Sequence, residues 1–240
     1  MGGAFFRRLP KDANPNPEQR IMIAIVDYKA GNLTSVLRAL ERLGQPAVIT
    51  ADPEAIRSAE RVVFPGVGAA GEAMRNLRER GLVEVLREVA RVKPFIGICL
   101  GYQILFEHSD EDGGVECLGI LPGRVVRFPE PLRSPHSPRP LKVPHMGWNG
   151  IRFTRSHPVW DGIPAGSEFY YVHSYYPVPE PADVCAETEY GVAFAAGAAR
   201  GPLVGFQSHP EKSGEPGLRL LKNFCEWKPN REPEIVEIHA

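Results

Sequence analysis

Residues 93–109 read Lys-Pro-Phe-Ile-Gly-Ile-Cys-Leu-Gly-Tyr-Gln-Ile-Leu-Phe-Glu-His-Ser, and their reading decides the fold. An apolar run ends at Ile98, a single Cys99 stands between Gly97 and Gly101, and helical spacing begins at once. The pattern predicts a strand over 95–98 and a helix over 100–107. Small residues on both sides of the cysteine suit a sharp strand-to-helix turn, where the backbone bends and a ligand can reach the side chain at its tip. A cysteine there faces the positive end of a helix, which favours thiolate over thiol. Free Cys is also among the most buried residue types, so the stretch alone leaves a core thiol and an activated thiol equally open.

Outward from this turn, strand and helix alternate. Residues 21–27 form an almost continuous apolar run, as expected of a strand covered on both faces. Asn32 is expected to cap a helix whose Leu33, Val36, Leu37, Leu40 and Leu43 share one face, ending at Gly44. Short strands are predicted at 47–50 and 61–64, and helices at 70–79 and 82–92, the second burying Leu82, Val85, Leu86 and Val89. After Ser109 the chain turns Pro- and Gly-rich, with β-like segments at 124–128, 150–153, 168–173, 192–195 and 203–206. Residues 129–141, with five prolines, read as an exposed loop, and a final amphipathic helix is expected over 217–227. The fold class is α/β: a largely parallel sheet flanked by helices, with additional antiparallel strands in the second half.

Composition narrows the function. A chain of 240 residues, 43% hydrophobic, can bury one large core, and a net charge of −1 suggests neither a nucleic-acid nor an anionic-membrane partner. No apolar run approaches the roughly 18 residues that span a bilayer. Four cysteines without CxxC or metal-ligand spacing point to unpaired thiols in a reducing cytoplasm, with no metal. Residues 1–20 are rich in Pro, Gly, Asn and charge and read as a mobile extension without function. The domain is expected over 21–228, with a surface tail at 229–240.

In open α/β sheets ligands bind beyond the carboxyl ends of the strands. Three loops are expected at that rim: 27–32, the Pro-Gly-Val-Gly of 65–68, and the Cys99 turn. A thiolate nucleophile needs a base, and the base needs an orienting group. His209 and Glu211, in Gln-Ser-His-Pro-Glu-Lys after an apolar strand, supply both if the segment is extended and their side chains share a face. Taken alone, His209 reads as an exposed His-Pro turn; its place after a strand brings it to the edge that carries Cys99. Donors for an oxyanion are the backbone N–H groups of Leu100 and Val67. His145 and His173 lie among aromatics and read as packing or partner-contact residues, whereas His108, His136, His157 and His239 read as surface residues.

Gly-Ile-Cys-Leu-Gly-Tyr-Gln-Ile-Leu-Phe-Glu together with His-Pro-Glu-Lys-Ser resembles the class I, triad-type glutamine amidotransferases, over about residues 22–227. Ile25-Val-Asp-Tyr with Gly31-Asn-Leu, Lys142-Val-Pro-His-Met-Gly-Trp-Asn and Tyr171-Val-His-Ser-Tyr further resemble the histidine-biosynthesis branch of that family. The resemblance implies a flavodoxin-like sheet, no cofactor, and hydrolysis of glutamine through a thioester on Cys99, with His209 as acid and base and Glu211 orienting it. It also implies glutamine binding by Gln103 and Glu111 and by the backbone of Gly68, Ser174 and Tyr175. A (β/α)8 cyclase subunit is the implied partner in a heterodimer. It uses the ammonia to make imidazole glycerol phosphate and an aminoimidazole carboxamide ribonucleotide. Asn32, His145, Met146, Trp148, Asn149 and Lys212 are the expected contacts with it. Lys29 and Tyr102 depart from the family pattern, where a small residue and Met are usual.

Three other readings compete. A glutaminase of another pathway is disfavoured by the 142–149 segment. A silent regulatory subunit is disfavoured by the intact Cys99, His209 and Glu211, and a cysteine peptidase by the glutamine-sized pocket that the resemblance implies.

Overall fold

The computed structural model describes residues 23–134 and 137–229. The expectations for residues 1–20, for His136 and His239, and for the tail from residue 230 fall outside these.

Strand β1 (Ile23–Val26) is buried throughout, as its unbroken apolar run requires. Its side chains alternate between two cores. Ile23 and Ile25 face a layer with Val36 and Leu40 of α1 (Leu33–Arg42), whereas Ala24 and Val26 face the opposite layer. That second layer holds Ile56 of α2 (Pro53–Ser58), Met74 and Leu77 of α3 (Ala70–Glu79), and Leu82, Leu86 and Val89 of α4 (Leu82–Val92). Helix α1 ends where expected: Gly44 takes φ 68°, and the Gln45 N–H reaches back to the Leu40 carbonyl.

Among the described residues the main sheet has eight strands. From one edge they run β2 (Ala47–Thr50), β1, β3 (Arg61–Gly66), β4 (Phe95–Cys99), Leu203–Phe206, Val192–Arg200, Val184–Tyr190 and Arg152–Phe153. The pairings from β2 through Leu203–Phe206 are parallel, and those beyond are antiparallel. The carboxyl ends of β1, β3, β4 and Leu203–Phe206 therefore meet at one rim. Helix α6 (Gly214–Glu226) closes the α1 face through Leu220, Leu221 and Phe224.

Several expectations need correction. The helix after Cys99 is only α5 (Leu100–Gln103), because the Ile104 and Leu105 carbonyls are taken by the N–H groups of Leu118, Ile120 and Leu121. Residues 129–141 are not simply a loop: Leu132–Ser134 pairs with Ser137–Leu141, and Leu132 is buried. The strands His145–Gly150, Tyr175–Pro179 and Val184–Tyr190 were not foreseen. The first two lack a clean polar–apolar alternation and are set by pairing with Glu168–His173 and Gly123–Arg127, whereas Val184–Tyr190 is masked by its polar run Glu187-Thr188-Glu189 and pairs with the adjacent Val192–Arg200. His157 is not a free surface residue; its Nδ1 accepts from the Val159 N–H and its ring stacks on Trp160.

Candidate active site

Cys99 ends β4 with φ 54° and ψ −111°, a backbone state that a side-chain-bearing residue adopts only under constraint. Such a residue costs on the order of 1–3 kcal/mol. Ile96 and Ile98, both fully buried just before it, each return about 1.5–3 kcal/mol on burial, so the strand can hold the turn. The flanking glycines are steric necessities. A Cβ on Gly101 would run into the Phe64 carbonyl of β3, and one on Gly97 would sit 3.0 Å from the Tyr102 Cα. A helix of four residues carries little macrodipole, so support for a thiolate must come largely from side chains.

His209 and Glu211 are fully buried side chains, with His209 Nδ1 2.8 Å from Glu211 Oε1. The geometry differs from the extended one expected: Pro210–Lys212 is a 3-10 turn that folds the carboxylate back under the ring. Three backbone-anchoring bonds fix the imidazole. The His209 N–H donates to the Tyr170 carbonyl at 2.9 Å, and the Ser213 hydroxyl donates to the His209 carbonyl at 2.6 Å while accepting from the Tyr170 N–H at 3.0 Å. Burial pulls the His209 pKa down, but the charge of Cys99, and then the hydrogen bond and charge of Glu211, outweigh it and push the imidazole up to about 10. Nε2, the nitrogen not engaged by Glu211, is buried and has no hydrogen-bond partner among the described residues. It is the nitrogen free to exchange a proton with the sulfur or with a substrate.

A cleft of about 310 Å³ opens over the sulfur, lined by Val67, Gly68, Cys99, Leu100, Gln103, Glu111, Pro144, Val172, His173, Ser174 and Tyr175. It thus gathers all eight residues expected as nucleophile, oxyanion donors and substrate contacts. Pro144, Val172 and His173, which belong to the motifs at 142–149 and 171–175, also line it, although no place in the cleft was expected of them. Gly68, at φ 102°, gives the loop after β3 its turn. Glu111 is already engaged: Oε2 accepts from the Ala70 N–H at 2.7 Å and so caps α3, whose Ala69 offers no side-chain cap. Burial raises the Glu111 pKa, the Ala70 N–H opposes this, and Asp112 adds to it. A larger groove, about 570 Å³, lies beside Arg42, Ile163 and Arg219 and contains none of these groups.

The residues expected at a partner surface divide. Met146 and Trp148 are 63% and 53% exposed on His145–Gly150, and Lys212 is exposed near the Tyr170 ring. His145 is instead buried between Tyr171 and Tyr190, its Nδ1 3.1 Å from His173 Nε2. Asn149 bonds the Glu189 carbonyl and lies 3.3 Å from His145 Nε2. Asn32 stands at the start of α1 but makes no side-chain cap; its amide donates to Glu211 Oε1. Lys29 is exposed on the rim at φ 67°, and Tyr102 is buried, its ring filling the space above Gly205. Gln207, in the same segment as His209 yet not singled out by its sequence, donates to Cys99 Sγ at 3.7 Å.

The chain matches the class-I glutamine amidotransferase family over residues 24–227. It is 53% identical to the imidazole glycerol phosphate synthase subunit HisH of Methylococcus capsulatus over 211 residues, 86% of this chain and 97% of that one. It is 50% identical to the same subunit of Aromatoleum aromaticum, over 86% of this chain and 99% of that one. Among solved structures, it resembles PurLQS from Thermotoga maritima with a TM-score of 0.64 at 17% identity, over 87% of this chain and 99% of that one. A glutamine amidotransferase from the same organism gives 0.59 at 15%, covering 87% and 97%. At such identity these two likenesses bear on the fold alone.

Proposed function

The chain belongs to the class-I glutamine amidotransferase family, and from that premise we propose that it is the glutaminase subunit of an imidazole glycerol phosphate synthase. It hydrolyses glutamine to glutamate and ammonia for histidine biosynthesis. The observation that carries the mechanism is the buried His209–Glu211 pair at 2.8 Å in a structure that also strains Cys99 into a cleft.

Cys99 gives its proton to His209 Nε2, and the thiolate attacks the side-chain amide carbon of glutamine. The carbonyl oxygen becomes an oxyanion held by the backbone N–H groups of Leu100 and Val67. The C–N bond then breaks as His209 returns the proton to the departing ammonia, leaving a γ-glutamyl thioester. Water attacks this acyl group while His209 takes its proton, and collapse releases glutamate and restores the sulfur. Glu211 holds the tautomer with Nδ1–H and stabilises the imidazolium, the role of the acid in any such triad. Gln103 and Glu111, with the backbone of Gly68, Ser174 and Tyr175, hold the head group of the substrate.

The partner is a (β/α)8 cyclase subunit in a heterodimer that takes ammonia before water protonates it, and the setting is the cytoplasm. Exposed Met146 and Trp148 beside the cleft support a docking surface there, since Met and Trp are enriched at interface cores. Among the described residues no helix is long and apolar enough to cross a membrane. The test is glutamate release with and without the cyclase and its ribonucleotide ligand. Cys99→Ala should abolish it in both arms while the fold is kept; glutamine-dependent turnover by Cys99→Ala would overturn the assignment.

A further inference from the structure

Gln207 is fully buried, and its side chain touches the reacting sulfur. Its orientation is forced from a distance. The Tyr175 carbonyl can only accept, so the Gln103 side chain must turn its NH2 toward it, at 2.8 Å. That same NH2 donates at 3.0 Å to Gln207, which must therefore present Oε1 to Gln103. What remains of Gln207 is its own NH2, and it points at Cys99 Sγ, 3.7 Å away. Each amide is fixed by the one before it, and the chain ends on the nucleophile.

An N–H facing sulfur is a weak donor to a neutral thiol and a much stronger one to a thiolate. Helix α5 has a single turn, so this contact supplies support that a longer helix would have given. We infer that Gln207 is a catalytic residue that stabilises the Cys99 thiolate, and that Gln103 is its positioning residue, linking the Tyr175 wall of the cleft to the charge on the sulfur. The inference rests on the reading of Cys99 as the nucleophile. It gives Gln103 a task besides its contact with substrate: its NH2 serves Gln207 and the Tyr175 carbonyl, while its Oε1 is left to face the cleft.

The experiment is iodoacetamide alkylation of the full chain across pH, with Cys99 followed by peptide-resolved mass spectrometry. The other thiols do not interfere, because burial pushes Cys117 and Cys225 up to about 12 and raises Cys185 as well. Gln207→Met, which keeps volume and removes the donor, should move the alkylation midpoint of Cys99 up by about one pH unit, a tenfold slowing below the midpoint. Gln103→Met, which frees Gln207 to rotate, should move it in the same direction by less. Glutaminase kcat/KM of Gln207→Met should fall about tenfold at acidic pH and recover above the new midpoint, a recovery that a purely structural role would not give. An unchanged midpoint in folded Gln207→Met overturns the inference. If that variant does not fold, an unchanged midpoint in Gln103→Met does so alone. A wild-type Cys99 no more reactive than an ordinary thiol would instead overturn the nucleophile reading itself.

Discussion

Asn32 and Glu211, 179 residues apart, meet at 2.5 Å: the asparagine amide donates to Oε1, the same oxygen that lies 2.8 Å from His209 Nδ1. Asn32 adopts φ 72° at the head of α1, and its side chain turns away from the helix it was expected to cap and toward Glu211. Among the described residues Glu211 Oε2 has no hydrogen-bond partner, and Oε1 carries the hydrogen bonds seen at this buried carboxylate. Asn32 thereby ties the loop after β1 to the carboxylate that we propose orients His209 as the catalytic base.

Removing this donor with Asn32→Ala should therefore impair chemistry more than binding. A hydrogen bond to a charged group is worth about 1.5–3 kcal/mol, so kcat should fall about tenfold or more with KM little changed. Asn32→Asp, which sets a second carboxylate against Glu211, should be worse. Steady-state glutaminase kinetics decide it; an unaltered kcat in Asn32→Ala would remove the residue from the triad's support.

Gly101→Ala should destabilise the fold more than Gly44→Ala. The first drives a Cβ into the backbone of β3, where nothing flexible can yield, and a loss of at least about 2 kcal/mol is expected. The second meets only the left-handed penalty at φ 68° with open space around it, about 1–2 kcal/mol. Urea unfolding midpoints order the two, and the reverse order would contradict the close β3–α5 approach.

Buried histidines should give stability two opposed pH limbs. Burial lowers His145 to about 4 and His173 to about 3, while burial and then Arg155 lower His157 to about 4. The unfolded chain therefore binds more protons than the fold below about pH 6.5, and stability falls on acidification, by up to about 1.4 kcal/mol per pH unit for each group. His209 is the reverse. Raised to about 10, it contributes stability that is full below about pH 6.5 and lost as pH climbs through 10. Urea unfolding from acid to alkaline pH should show both limbs, and His209→Asn should flatten the alkaline one between about pH 6.5 and 8.5, above which the buried thiols Cys117 and Cys225, pushed up to about 12, and Cys185 destabilise both proteins alike. A variant that keeps the loss between about pH 6.5 and 8.5 would rule out His209 as its source.

Partner docking is predicted to depend on the exposed tip of His145–Gly150. Met146→Ala with Trp148→Ala should weaken cyclase binding tenfold or more, about 1.4 kcal/mol or beyond, without changing thermal stability, since neither side chain is in the core. Calorimetric titration with the cyclase reads this directly. Undiminished affinity would move the interface elsewhere on the rim.

How far the sequence carried the reading varies by element. The parallel half was legible because its strands are unbroken apolar runs and its helices keep one-face spacing, both local properties. The strand Val184–Tyr190, the hairpin at 132–141 and the short α5 were not. Val184–Tyr190 carries the polar run Glu187-Thr188-Glu189 and becomes a strand by pairing with the adjacent Val192–Ala198, the 132–141 strands pair only with each other, and α5 stops where the N–H groups of Leu118, Ile120 and Leu121 take the carbonyls of Ile104 and Leu105. Spacing singles out His209 and Glu211 as a pair, and the structure brings them to 2.8 Å, but on a different backbone from the extended one expected, because Pro210 permits either an extended segment or a 3-10 turn.

By itself, then, the sequence determined the Gly-x-Cys-x-Gly turn at the end of an apolar strand and the family to which that turn belongs. These follow from residue type and short-range pattern, which steric rules read directly. Only the tertiary structure decided what stands around the sulfur. That Gln207 faces Cys99, that Asn32 reaches Glu211, and that α5 stops after one turn are results of packing between segments about 10 to 180 residues apart. No local periodicity encodes the direction of a buried amide; the acceptor at its far end does.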